Sequence, residues 1–124
     1  MSSDNAAEQW KLIDVHGAQE KLQAGGAVAI DVRMPFDYAG GRIQGAVNLP
    51  GESLRFRKAS VPEDKELLIF SEDGNTSAKV CALALSLGYK DVYNVEGGME
   101  AWRSAEYELE TIDEGASSRP PSQG

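Results

Sequence analysis

The chain has one cysteine and one histidine in 124 residues, and both scarcities narrow its chemistry. Cys81 has no second cysteine with which to close an internal disulfide. His16 lies near the first predicted helix, far in sequence from the other candidate site residues, so a Ser-His-Asp constellation has little to build on. Basic residues are also few. Twelve Lys and Arg face twenty Asp and Glu, for a formal net charge of -8, and no Lys/Arg cluster offsets this. Such a chain has no electrostatic attraction for nucleic acid or an anionic membrane, and neither is expected as a partner. No apolar run reaches transmembrane length. The start, Met1-Ser2-Ser3-Asp4-Asn5, lacks the basic and apolar stretches of a secretory signal. Together these absences lead us to expect a cytoplasmic protein.

What is present suits one globular domain: 41% apolar and 26% charged residues. We expect a flexible N-terminus over 1–9, a folded domain over 10–108 and a tail over 109–124. The tail's Gly, Ser, Pro and Gln predict disorder towards its end. Within the domain, Trp10 to Ile13 reads as a short strand. Asp14 is placed to cap a helix carrying Ala18 and Leu22, closed by Gly25-Gly26. Ala27 to Ile30 is a strand buried on both faces. Pro35 opens a short helix over Phe36 to Ala39, and Ala46 to Leu49 is a further strand. Glu52 to Lys58 reads as a short helix. Leu67 to Phe70 is the most apolar strand, Ser77 to Leu87 the longest helix, with Gly88 after its end. Val92 to Val95 is the last strand, and Gly97-Gly98 starts a closing helix with Met99 and Trp102. Short apolar strands alternating with helices predict an α/β fold with a parallel sheet and helices on both faces.

In such folds ligands bind where strands end and helices begin. The segment Ser71-Glu72-Asp73-Gly74-Asn75-Thr76-Ser77 is in that position. A tight loop entering a helix N-terminus directs backbone N–H groups at one spot. Gly74 is expected to supply a backbone angle that other residues disfavour. Ser77 is expected to cap the helix or to hydrogen-bond within the loop. Glu72 and Asp73 read as solvated acids at the loop tip, too few ligands for a metal site. Cys81, set among Val80, Ala82, Leu83, Ala84 and Leu85, reads as a small core residue.

Several segments in order resemble the rhodanese family of thiosulfate sulfurtransferase domains. Asp31-Val32-Arg33 with Phe36-Asp37-Tyr38 is similar to its first signature. Gly41 to Pro50 is similar to its second, with Arg42 where histidine is usual. Gly88-Tyr89, Val92-Tyr93 and Glu96-Gly97-Gly98 through Trp102 resemble its C-terminal signature. The resemblance implies a five-stranded parallel sheet flanked by helices, no cofactor and no metal. It implies a loop at 71–77 whose first residue, in active members, is a cysteine that takes a sulfane sulfur from a donor such as thiosulfate and passes it on as a persulfide. Here that residue is Ser71, and Thr76 stands where many members have arginine. Asp31 and Arg33 are implied to support the pocket through an ion pair or hydrogen bonds, and Arg42 to approach the loop's mouth. A small anionic sulfur donor or a protein persulfide is the implied partner.

The nucleophile of this chemistry is a thiolate, which a helix N-terminus makes accessible at neutral pH. A serine hydroxyl stays protonated in the same setting without a neighbouring base, and its oxygen cannot form the S–S bond of a persulfide. Two readings follow. In one, the chain is an inactive homologue that binds an anion or a protein. In the other, it is a sulfurtransferase whose cysteine has been exchanged for serine. A phosphatase or serine-based enzyme is a remote third, since the loop has neither the cysteine nor the arginine of the phosphatase relatives.

Overall fold

The computed structural model describes residues 9–111. The expected N-terminal segment before residue 9 and the expected tail beyond 111 lie outside these residues. Five strands form one sheet: β1 (Lys11–Ile13), β2 (Ala27–Asp31), β3 (Val47–Asn48), β4 (Glu66–Phe70) and β5 (Val92–Val95). Their order across the sheet is β1-β5-β4-β2-β3, and every pairing is parallel. Four helices connect or follow them: α1 (Val15–Ala24), α2 (Pro35–Gly40), α3 (Ser77–Ser86) and α4 (Gly98–Ser104).

Local chemistry sets the helix ends. Asp14 Oδ1 accepts the Gly17 N–H at 2.8 Å, as an N-cap carboxylate should. Gly25 closes α1 at φ 88°, donating its N–H to Leu22 O. After α3, Gly88 adopts φ 104°, its N–H bonds Leu85 O, and the Tyr89 N–H reaches back to Ala84 O. That paired return is the Schellman arrangement, which satisfies two otherwise orphaned carbonyls.

The central strand β4 shows why both faces must be covered. Leu67 and Ile69 enter one core with Val80, Cys81 and Leu83 of α3, while Leu68 and Phe70 enter another with Val15 and Ala18 of α1 and Met99 and Trp102 of α4. Side chains alternate along a strand, so an unbroken apolar run fills both sides. The expected helices on both faces are present.

Two expectations need correction. The segment 52–58 is not an α-helix; it folds as two single-turn 3₁₀ helices, Ser53–Phe56 and Lys58–Ser60. Only Leu54 there is buried while Phe56 is exposed, so no apolar stripe sustains further turns. The folded chain also continues past 108. Leu109 packs on the core around Trp102, and Glu110 pairs antiparallel with Arg42 through two backbone hydrogen bonds of 2.8 Å.

Candidate active site

The site is assembled by the neighbouring carboxyl ends of β2 and β4. Asp31 pairs with Phe70 in register, and the Val32 N–H donates to Phe70 O at 2.9 Å. This sets Asp31-Val32-Arg33 beside Ser71-Glu72. The strand order places β4 between β2 and β5, so the loop after β4 is flanked by the ends of both.

Ser71 is 1% exposed and its hydroxyl is fully engaged. The Gly74 N–H donates to Ser71 Oγ at 2.9 Å, and Ser77 Oγ lies 3.0 Å away. Counting protons settles the direction of the second bond. Asn94 Nδ2 donates to Gly74 O at 3.0 Å, so Asn94 Oδ1 is the acceptor facing Ser77 Oγ at 2.5 Å. Ser77 has a single proton and gives it to Asn94, so Ser71 donates to Ser77. The Ser71 oxygen thus accepts one bond and gives one, as a neutral hydroxyl requires. Among the described residues no imidazole or carboxylate hydrogen-bonds Ser71 as a base. His16 is exposed and its Nδ1 contacts the Tyr107 hydroxyl at 2.5 Å.

Ser77 therefore bonds within the loop and does not cap α3. Thr76, at the cap position, has helical backbone angles and no side-chain cap bond. Cap geometry needs an extended residue there. The expected ring of backbone donors is only partly available. The Gly74 N–H is used by Ser71 and the Asn75 N–H by Asp73 Oδ1 at 2.9 Å. Among the described residues the N–H groups of Glu72, Asp73, Thr76 and Ser77 have no acceptor, which leaves four donors about the loop.

Close backbone packing holds the loop in shape. The Met99 and Glu100 N–H groups donate to Ser71 O and Glu72 O, each at 2.9 Å. Gly74 sits at φ 92°, and a Cβ there would meet Gly97 N at 2.8 Å. Gly98 sits at φ 55°, and a Cβ would fall 2.3 Å from Ser71 O. Gly98→Ala is expected to cost about 1–3 kcal/mol from the left-handed backbone alone, with the clash against Ser71 O added. Urea unfolding should show a correspondingly lower midpoint at unchanged slope. An unshifted midpoint would mean that the loop and α4 are not rigidly joined.

Charged groups pack beside the loop. Arg33 Nε and Nη2 bond Asp31 Oδ1 and Oδ2 at 3.0 and 2.8 Å, and Nη2 also donates to Gly41 O at 2.7 Å. Side-chain exposure is 5% for Arg33 and 2% for Asp31, so this is a buried pair. Burial opposes the Arg33 charge, but the hydrogen bond and charge of Asp31, then Glu72, outweigh it and hold the guanidinium above its ordinary pKa. Asn48 Nδ2 ties Asp31 O and Arg33 O together at 3.0 and 2.9 Å. These contacts place the Asp31–Arg33 ion pair at the carboxyl end of β2, beside the loop.

Glu72 is exposed, as expected of a loop-tip acid, but it is also ion-paired: it lies between Arg33 Nη1, at 3.4 Å, and Arg103 Nη2. Asp73, Asn75 and Thr76 are exposed. Among the described residues Arg42 makes no hydrogen bond or ion pair with the loop. It lies over the Tyr38 ring at 5.2 Å and pairs with Glu110 at 3.5 Å, because the chain beyond α4 returns to bond its backbone. Cys81 is buried in the core, and desolvation pushes its thiol up to about 12, so it is no displaced nucleophile.

Two residues of the site escaped the sequence reading. Asn94 had a signal: a lone amide inside the apolar strand Val92–Val95 must find buried partners. Arg103 had none, being one charge on a short helix.

The profile of the family described as rhodanese-like domain matches residues 6–105. Thiosulfate sulfurtransferase GlpE of Pseudomonas entomophila (strain L48) is 37% identical over 83 residues, covering 67% of this chain and 76% of that protein. A rhodanese-related protein from Thermoplasma volcanium superposes with a TM-score of 0.73 at 28% identity, over 82% of this chain and 98% of its own. A protein of unknown function from Rhodopseudomonas palustris, RPA3614, described as a possible tyrosine phosphatase, gives 0.72 at 27% identity, over 86% and 89%.

Proposed function

The chain belongs to the rhodanese-like domain family, and from that premise we propose that it is a member without sulfur transfer, which binds a small anionic sulfur compound at the loop 71–77. The observation that carries this is the bonding of Ser71 Oγ. It holds the place implied for the family's nucleophile, yet it is a buried neutral hydroxyl with both its hydrogen bonds made inside the protein. Among the described residues no base is bonded to it to take its proton. The N–H groups of Glu72, Asp73, Thr76 and Ser77, without acceptors among the described residues, support the binding half of the reading, since backbone donors at the N-terminus of a helix such as α3 favour anions. Phosphatase chemistry does not carry over, because residues 71–76 include neither cysteine nor arginine. We place the protein in the cytoplasm. Among the described residues no helix is long and apolar enough to cross a membrane.

A thiosulfate titration followed by amide NMR tests this. The loop amides 72–77 should shift in a saturable way while the thiosulfate stays intact with cyanide present. Release of sulfite or thiocyanate would defeat the proposal, and so would loop amides that never move.

A further inference from the structure

Beside the loop, between α2 and α4, lies a groove of about 520 Å³ lined in part by Arg33, Phe36, Asp37, Glu72, Arg103 and Leu109. It is distinct from the ring of loop amides. Its floor is Arg33, 95% of whose side chain is buried by the 5% exposure given above. The donor count of that guanidinium is uneven. Nε has one hydrogen and spends it on Asp31. Nη2 has two and spends them on Asp31 and Gly41 O. Nη1 also has two, but among the described residues its one partner is Glu72, at a long 3.4 Å. One N–H of this largely buried guanidinium is left over, on the nitrogen that meets the groove residue Glu72. Arg103 contributes a second guanidinium, and its carboxylate partner is again Glu72.

We infer that this groove is a binding site for a small oxyanion, and that Glu72 is its resident, displaceable anion. The two ion pairs of the site differ in permanence. Asp31 is buried with Arg33 and is fixed. Glu72 is 47% exposed and anchored only by its half-exposed bond to Arg103 and the long contact to Arg33. Exposed pairs of this kind contribute little and exchange readily. A sulfate, thiosulfate or phosphate entering the groove offers more acceptor oxygens than the carboxylate and can take both Arg33 Nη1 hydrogens and the Arg103 fork together. Asp37 remains on the groove wall as an opposing charge, so an anion binds best where it sits directly on the arginines and away from that carboxylate. The inference rests on the anion-binding half of the proposed function and adds a second place and a gating residue to it.

Glu72→Gln keeps the side chain's size and removes its charge. Sulfate, titrated against amide and arginine side-chain NMR signals, should bind this variant about fivefold or more tightly than the unaltered chain, the factor one unit charge at about 4 Å supplies in water. The Arg33 and Arg103 side-chain signals should move. Asp64→Asn removes the same formal charge from an exposed residue before β4, at the end of the strand away from the loop, and should change affinity less than about twofold. Glu72→Gln/Arg103→Gln should lose the gain. Equal affinity in Glu72→Gln and the unaltered chain would overturn the inference, as would a gain that Asp64→Asn reproduces or that survives loss of Arg103. Shifts confined to loop amides would overturn it while leaving the loop reading standing. No shifts anywhere would overturn both.

Discussion

Ser71→Cys is expected to produce thiocyanate from thiosulfate and cyanide, and the unaltered chain is expected to produce none above the uncatalysed rate. The difference is one of kind, since it turns on whether an S–S bond can form. A thiolate at position 71 attacks the outer sulfur of thiosulfate; the donor's S–S bond breaks, a new S–S bond forms and sulfite leaves with the electron pair. Cyanide then takes the sulfane sulfur and the thiolate returns. The surroundings of Ser71 Oγ suit that thiolate. The Gly74 N–H already points at the γ position from 2.9 Å, and the Ser77 hydroxyl at 3.0 Å can turn its proton from Asn94 to the sulfur. Both donors favour the charged form and lower a thiol's pKa. Glu72, the acid next to position 71, is ion-paired with Arg33 and Arg103, which reduces its repulsion of an anionic donor. The loop must part to admit the donor, because residue 71 is 1% exposed, so turnover is expected to be slow. Thiocyanate formed by the unaltered chain would contradict the account of Ser71.

Asp31→Ala is expected to lower stability by about 3–5 kcal/mol, a large part of what a domain of this size has. The carboxylate meets Arg33 at three atoms, and its removal strands a buried guanidinium whose remaining partners are Gly41 O and the weak contact to Glu72. The cost is the unpaired charge more than the lost bond. Asp31→Leu/Arg33→Met removes both charges and should recover at least half the loss. Urea unfolding of the three proteins checks this. A loss below about 1 kcal/mol in Asp31→Ala would show that water reaches Arg33 and that the pair does not brace the loop.

Much of this site was legible in the sequence for physical reasons. Leu67 to Phe70 is too apolar for an edge strand, and a polar stretch with one glycine before an apolar helix has few other folds available. Gly74 marked a backbone angle that other residues disfavour, and its φ is 92°, whereas the lack of room for a Cβ at Gly98 depends on the distant Ser71 O. The closing glycines of α1 and α3 worked as Gly74 did, since their signals are local. What stayed hidden depends on register and on elements distant in sequence. Asn94 reaches the loop because β5 pairs Asn94 with Ile69 of β4, which no local pattern states. Glu72 looked solvated because its partners lie 39 and 31 residues away. Arg42 was placed at the loop by analogy of position, whereas the return of the chain at Glu110 holds it elsewhere. The helix expected over 52–58 failed because alternating charge resembles amphipathicity until one counts the single residue that is buried.

We read the loop as a sulfur cradle that holds an oxygen where the sulfur would sit. Intact-mass measurement after thiosulfate treatment, on the unaltered chain and on Ser71→Cys, tests it most directly. The unaltered chain serves as control for Cys81, whose buried thiol, with its pKa near 12, should not react. The account predicts that Ser71→Cys gains the mass of one sulfur atom, removable by cyanide, and that the unaltered chain gains nothing. No gain in Ser71→Cys, or a gain in the unaltered chain, would contradict it.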